Sequence, residues 1–422
     1  MLDIKFIREN KGVIKKAAEK KRIEFDVEKL IEVDDQRRLI LSRVEMKRAE
    51  QNVASNQIVN ATSEERAKIL EKMKILKADL ERDEDGLKSV MKEWQLLMLL
   101  VPNIPDASVP EGESDQDNQE VKKWGEIPKF DFTPKNHIEI MTDLGMADFE
   151  RGTKVAGFRG YFLKGSGAML SFAIWRYAID FFVSRGLDLH IAPSMVRREP
   201  LMGTGYLPQG EDDLYKVQDD KYLAGTGEVA MMGFFQNEII PKQDLPKKVL
   251  AFSPCFRREI GAHSKDVKGL IRVHEFFKFE QLVICEASHE ESVRQHEELT
   301  RNAEEFIESL NIPYRRVVNC GADIGQGQVK KYDIELWVPL ENTYRESHSA
   351  SYFHDFQTRR LNIRYKDETG NTQYAHSLNN TAIATPRVLV SLVENFQTAD
   401  GSVKIPEVLV PYMNGLREIR TK

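Results

Sequence analysis

None of the chain's 16 prolines, and only two of its 25 glycines, Gly12 and Gly86, fall within residues 1–101. A stretch of that length without helix breakers is free to run as long helices, and its apolar residues keep helical spacing. Between residues 30 and 58, Leu30, Val33, Ile40, Val44, Ala54 and Ile58 recur in steps of three and four, with polar Arg37, Lys47 and Gln51 interrupting the same seam. A second run, Ile69, Met73, Leu76, Leu80, Leu87, Val90, Trp94, Leu97 and Val101, breaks once, at Asp83. Thr62-Ser63-Glu64-Glu65 has the spacing of a capping box, so a helix is expected to restart there after a turn near 59–61. Two long helices joined by a short turn run antiparallel. At 1.5 Å per residue each extends about 45 to 55 Å, too far to be covered by a domain of this size, which predicts a projecting two-helix arm. The same pattern fits a dimerisation coiled coil or one side of a helical bundle. Arg37, Arg38, Arg43, Lys47, Arg48, Lys68, Lys72, Lys74 and Lys77 are interleaved with nearly as many acids, so charge does not choose between a solvated face and a phosphate-binding one.

The 422 residues suffice for two or three domains. Lys plus Arg is 61 against 67 Asp plus Glu, a net charge of −6, so any nucleic-acid partner must be met locally rather than by overall charge. Cys255, Cys285 and Cys320 stand far apart with no CxxC pair, which argues against a disulfide framework and a cysteine-ligated zinc and points to a reducing cytoplasm. The start of the chain has no apolar run behind a basic stretch, and no segment approaches the ~18 apolar residues of a membrane span. No membrane partner is expected.

Residues 1–101 are read as the helical domain and 102–134, rich in turn formers, as a linker. Residues 135–422 mix helical patterns (170–185, 289–310, 386–397) with alternating strands. Two strands, 248–259 and 270–284, are expected on either side of a polar loop that contains Gly261 and Gly269. Alternation puts Arg272, His274, Phe276, Lys278 and Glu280 on one face of the second strand and Ile271, Val273, Phe277 and Phe279 on the other; Arg257 and Glu259 share a face of the first. Guanidinium, aromatic ring and carboxylate together suit phosphate, base and amine. A surface hairpin with salt-bridged charges fits the alternation too. Farther on, Glu346 and Ser349 offer two oxygens to a hard cation such as Mg²⁺. Thr385 suits a helix N-cap and Pro386 the first helical position, placing Arg387 in a first turn where anions are favoured.

Phe256-Arg257-Arg258-Glu259, the run Gly269-Leu270-Ile271-Arg272-Val273-His274-Glu275-Phe276 with Lys278-Phe279-Glu280, Asn342-Thr343-Tyr344-Arg345-Glu346, Asp355-Phe356-Gln357, the Arg387 helix and Pro193 after a helix and strand appear in order. Together they resemble the class II aminoacyl-tRNA synthetases, most closely the seryl-tRNA synthetase family, over essentially the whole chain. The resemblance implies an α+β fold: an N-terminal antiparallel two-helix coiled-coil arm, plus a catalytic domain with an antiparallel six- or seven-stranded sheet flanked by helices, in a homodimer. It implies ATP-dependent activation of L-serine to seryl adenylate and transfer to the 3′ end of tRNA(Ser), with tRNA(Sec) a further candidate acceptor, and the arm as the tRNA-binding element. Carried over by position, Arg257 and Arg387 are the catalytic pair. Thr226, Gly227, Glu228, Arg257, Glu280, Asn379 and Thr381 bind serine. Arg257, Arg258, Glu259, Val273, Phe276, Glu346, Ser347, His348, Ser349 and Arg387 bind ATP, and Glu346 with Ser349 holds Mg²⁺; zinc is not expected. Gly227, Asn380 and Pro386 depart from the family's usual residues, as do His348 and Tyr352, which puts local pocket geometry in question. The alternatives are a carrier-protein aminoacyl ligase and a non-catalytic nucleotide-binding coiled-coil interaction protein.

Overall fold

The long helices form where the spacing places them. In this computed structural model, which describes residues 2–260 and 266–421, two short helices, α1 (Ile4–Glu9) and α2 (Lys11–Lys20), precede α3 (Val27–Val59) and α4 (Ser63–Leu100). Asp26 caps α3 by accepting from the amides of Glu28 and Lys29. Glu65 closes the turn before α4, accepting from the amide (3.0 Å) and hydroxyl (2.7 Å) of Thr62. Every seam residue named from the sequence is buried or half-buried. The interruptions answer one another across the seam: Lys47 Nζ donates to Asp83 Oδ2 at 2.8 Å, Arg43 to Asp83 Oδ1 at 3.0 Å, and the Arg37 guanidinium lies 4.8 Å from the Trp94 ring centroid. These pairings set the antiparallel register of the arm.

Contacts divide the chain into two units, one of residues up to Glu19 with Ile23–Pro102, the other of Lys20–Arg22 with Asn103 onward. The second unit is built on an eight-stranded sheet of β1 (Gln119–Trp124), β2 (Asp188–Ile191), β3 (Lys247–Phe256), β4 (Glu275–Cys285), β5 (Tyr314–Val318), β6 (Lys330–Val338), β7 (Thr343–Tyr352) and β8 (His376–Ala384), in the order β1-β5-β6-β7-β8-β4-β3-β2. Only β2 runs parallel to its neighbour, β3. The sheet thus exceeds the expected six or seven strands, and one of the extra edges, β1, lies inside the segment read as a linker. Its Gln-Glu-Val-Lys-Lys-Trp sequence is a charged edge strand that carries little apolar signal.

One face of the sheet is sealed by α5 (Gly165–Val183), α7 (His289–Ser309) and α8 (Thr385–Asn395), whose apolar sides pack with Phe279, Ile334, Leu336, Ala382 and Ile383 in one core. α6 (Gly227–Phe234) covers part of the opposite face, packing Met231 and Met232 on Ala251, Leu282 and Ile284. What remains of that face is open. α8 begins one residue earlier than its sequence suggests: Ala384 is the N-cap, and the Thr385 hydroxyl instead accepts from the Trp175 indole at 2.8 Å. The loop expected between the two chemistry-bearing strands falls partly on 261–265, Gly261 included, outside the described residues. Among the described residues no helix is long and apolar enough to cross a membrane.

The Lys47–Asp83 pair makes the arm testable. Asp83→Leu leaves Lys47 in the seam with only the Asp79 carbonyl (3.2 Å) as acceptor and takes the partner from Arg43 at the seam's exposed edge, whereas Lys47→Leu/Asp83→Leu makes the seam apolar. Hydrogen exchange in the full chain should show lost amide protection around residues 40–90 for Asp83→Leu and recovery in the double variant; a double variant no better protected than the single one would contradict this account of the seam.

Candidate active site

The open face of the sheet holds two adjoining cavities, about 310 and about 50 Å³. Arg257, Lys278, Glu346 and Thr381 line both. Thr226, Glu228, Glu280 and Asn379 line the larger cavity, and Glu259, Val273, Phe276, Ser347 and Arg387 the smaller, so the expected amino-acid and nucleotide sets largely divide between the two; Arg257, Glu346 and Thr381 belong to both, and Ser349, expected at the nucleotide, lines the larger.

Two strand irregularities make this possible. Pairing shifts between Phe279↔Ile383 and Glu280↔Thr381, so β8 carries one extra residue, Ala382, and both Ala382 and Ile383 turn to the core. Without that shift Thr381 would face away from Glu280. On β7 the pairing jumps from Ile334↔His348 to Glu335↔Glu346, leaving Ser347 unpaired. Glu346 and Ser349, three residues apart and on opposite faces of a regular strand, thereby reach the same cavity.

The same bulge removes one expected ligand. His348 pairs with Ile334 on the helix-covered face, is 1% exposed and lines neither cavity, and burial pushes its imidazole down to about 3. Arg258 also departs from the expected nucleotide set. It follows the end of β3, is exposed, and donates from its amide to the Asp213 carbonyl and from Nη1 to the Asp212 carbonyl. His274, expected beside Phe276, precedes β4 and escapes its alternation, with Nδ1 3.0 Å from the Arg257 carbonyl.

In the larger cavity Lys278 Nζ donates to Thr226 Oγ1 at 2.7 Å and pairs with the Glu280 carboxylate. Glu228 accepts from Gln357 Nε2 at 2.7 Å and from the Tyr206 hydroxyl at 3.3 Å. Burial dominates and pushes the Glu228 carboxyl up to about 7, although Gln357 and Lys278 favour its ionised form. Gly227, between Thr226 and Glu228, lines neither cavity but packs closely behind the larger one: an added Cβ would sit 3.1 Å from Ala251 Cβ and 3.3 Å from Ser253 Oγ.

Around the smaller cavity, Arg387 donates from Nη1 to the Glu346 carbonyl (2.7 Å) and from Nε to the Ile271 carbonyl (3.3 Å). The Arg257 guanidinium lies 5.6 Å from the Phe276 ring centroid. Glu259, at φ +54, a region that side-chain-bearing residues enter rarely, is held by Arg272 at 2.8 Å. Burial pushes the Glu346 carboxyl up, but Arg387, Lys331, Arg257 and Arg272 outweigh it and hold it below the ordinary range. Four cations thus converge on a single carboxylate, a surplus of positive charge suited to a polyphosphate. No group of three or more His, Cys, Asp or Glu side chains among the described residues could hold a metal ion.

Two family models match parts of the chain: the seryl-tRNA synthetase N-terminal domain matches residues 1–105, and the tRNA synthetase class II core domain (G, H, P, S and T) residues 213–396. The chain is 44% identical to the serine–tRNA ligase of Deinococcus radiodurans over 420 residues, 99% of each protein. It belongs to the seryl-tRNA synthetase family. The seryl-tRNA synthetase of Pyrococcus horikoshii complexed with ATP superposes with a TM-score of 0.91 at 38% identity, covering all of both chains. The cytoplasmic serine–tRNA ligase of Naegleria fowleri in complex with AMP gives 0.87 at 33%, covering 100% of this chain and 99% of that one. Nothing in these matches supports the carrier-protein ligase or the non-catalytic interaction protein.

For a member of this family, sequence reasoning overlooked several supporting residues. Lys278 was legible by alternation, but not its contact with Thr226. Tyr206, which holds Glu228, comes from a distant segment with no local pattern, and Gln357, though part of the Asp355-Phe356-Gln357 motif, was given no role there. Lys21 is 3% exposed and donates to the carbonyls of Gly325 (3.1 Å), Gln326 (2.8 Å) and Gln328 (2.6 Å), which shape the rim of the larger cavity. Its basic neighbours, Lys20 and Arg22, hid it in a charge run.

Glu228 offers a direct titration. Carbon-13 NMR of the free protein should place its carboxyl midpoint near pH 7, and Gln357→Leu, which removes a donor to the anion, should move it higher. A midpoint near 4.5 in the parent, or a downward move in the variant, would contradict the assignment of burial as the dominant cause.

Proposed function

We propose that the chain is a serine–tRNA ligase that forms seryl adenylate from L-serine and ATP and passes the seryl group to the 3′ end of tRNA(Ser). The observation that carries this reading is the division of one open sheet face into an acid-lined cavity and a cation-lined one that share Arg257. The carboxylate of serine attacks the α-phosphorus in line, and pyrophosphate leaves. No covalent enzyme intermediate is required, so rate comes from positioning and charge neutralisation.

In this reading Arg257 spans the join, neutralising both the serine carboxylate and the α-phosphate. Thr226, Glu228 and Glu280 take the serine amine and hydroxyl, with Asn379 and Thr381 completing the pocket and Gly227 packing close behind it. Ionised Glu228 suits an ammonium, and binding one favours the charged form that burial opposes. Phe276 stacks on adenine beside Val273, and Glu259 exchanges Arg272 for the adenine amino group. Arg387 meets the γ-phosphate and the other face of the base, with Ser347 beside the phosphates. Glu346 and Ser349 fit Mg²⁺: a half-exposed carboxylate and a hydroxyl on one face offer two hard oxygens, leaving further positions for phosphate and water. When bound, the metal neutralises phosphate charge.

Residues 1–101 serve as the tRNA-binding domain, reading shape and backbone through limited basic contacts with the salt dependence of phosphate binding. The catalytic unit works as a homodimer. In support, Phe172 of α5 and Ile191 of the edge strand β2 are 63% and 83% exposed, an apolar surface suited to a second copy. The three cysteines are buried and unpaired, in keeping with a reducing cytoplasm.

The experiment that tests the reading is serine-dependent exchange of radiolabelled pyrophosphate into ATP. The parent should exchange, and Arg257→Ala and Arg387→Ala should each lose ~100-fold or more, the scale for removing one preorganised charge from a transition state; no serine-dependent exchange in the parent would end the proposal. Replacing residues 30–97 by a short flexible linker should leave exchange largely intact and abolish tRNA charging. Equal charging by the truncated enzyme would make the arm a structural appendage.

A further inference from the structure

Resting on the ATP site just proposed, a buried contact chain runs from the far end of α8 to the backbone beside Arg387. Glu394, in the last turn of α8, is 1% exposed, and its carboxylate accepts from the His137 amide (2.9 Å), faces His137 Nδ1 (3.0 Å) and accepts from the Leu340 amide (3.2 Å). His137, 5% exposed, opens the short helix His137–Asp143. Its Nε2 faces the Leu270 amide at 3.2 Å. An amide can only donate, so Nε2 must carry the lone pair and Nδ1 the proton, which then points at the Glu394 carboxylate. The two contacts select one neutral tautomer. Gly269, at φ +89, permits the approach, since a Cβ there would lie 2.2 Å from His137 Nε2.

The segment held in this way is not remote scaffolding. Leu270, Ile271 and Val273 line the smaller cavity, and the Ile271 carbonyl accepts from Arg387 Nε. Residues 270–271 are therefore gripped at both peptide groups, by His137 on the amide of one and by Arg387 on the carbonyl of the next. We propose that His137, its tautomer set by Glu394, is a positioning residue for ATP: it fixes the Leu270–Ile271 backbone on which Arg387 rests. It touches neither substrate.

Two substitutions separate positioning from folding. In His137→Gln the side-chain amide reaches both partners, its oxygen accepting from Leu270 and its NH₂ donating to Glu394. His137→Asn keeps a donor for Glu394 but falls short of Leu270. Steady-state pyrophosphate exchange should show the ATP KM raised roughly fivefold or more in His137→Asn, since ATP binding must then order the Leu270–Ile271 backbone that His137 no longer holds. The serine KM should stay within about twofold of the parent, the melting temperature of His137→Asn should fall by no more than the few degrees that one unpaired buried amide costs, and His137→Gln should recover most of the ATP KM. An unchanged ATP KM in His137→Asn would overturn the proposal. So would equal losses in both variants, with ATP and serine KM rising together and the melting temperature falling, because that is what a merely structural residue produces. Calorimetric titration with ATP, run on the parent and both variants without serine, tests the same contact when exchange is absent. Weaker binding in His137→Asn alone supports the positioning role whether or not the parent activates serine, and equal binding in all three refutes it.

Discussion

The two extra residues in the strand ladder are the constraint on which the site depends. Side chains on a strand alternate with period two, so one unpaired residue reverses the face of everything beyond it. Ala382 does this on β8 and brings Thr381 opposite Glu280; Ser347 does it on β7 and brings Glu346 round to Ser349. The displaced Ala382, Ile383 and His348 enter a layer already sealed by helices, where the apolar pair packs well and the imidazole is desolvated. Polar groups from three strands can then converge without any apolar side chain being turned to solvent.

Charge distribution within that frame divides the labour. The larger cavity buries carboxylates that need a cation, and burial shifts Glu228 toward neutrality until one arrives. Around the smaller cavity cations are in excess, and they hold Glu346 ionised although it is partly desolvated. Arg257 stands at the join. In the proposed reading a zwitterion with a hydroxyl takes one side and a triphosphate the other, and the reacting atoms meet where the positive charge is shared. Members of the family with ATP and AMP bound share this fold over the full chain, which gives the division its context.

What could be read from the chain beforehand follows from the range of each signal. The arm was legible in detail because helical periodicity accumulates over 33 and 38 residues, and even its polar interruptions, Lys47 and Asp83, proved to be partners. The faces of β4 were legible at Phe276, Lys278 and Glu280 because that strand is regular there. Ser347 and Ala382 were not, since a bulge is a relation between two strands and leaves no mark on either alone. His348 lies away from both cavities for that reason, and Arg258 because it stands just beyond the end of β3, where alternation no longer applies. The edge strand β1 was hidden by its charges. Tyr206, Lys21 and the His137–Glu394 pair act across separations that only the folded chain reveals, and the family resemblance, carried by short motifs, did not reach them; it included Gln357 in a motif but not its contact with Glu228.

Serine and nucleotide are proposed to occupy adjoining halves of one sheet face joined at Arg257. A crystal structure with a non-hydrolysable seryl-adenylate analogue tests it most directly. The account requires the base beside Phe276 and Arg387, the phosphate surrogate on Arg257, and the seryl hydroxyl between Glu280 and Thr381. An analogue seated elsewhere, such as in the separate apolar cavity of about 500 Å³ lined by Phe158, Tyr161 and Trp175, or bound with its seryl group away from Glu280, would contradict it.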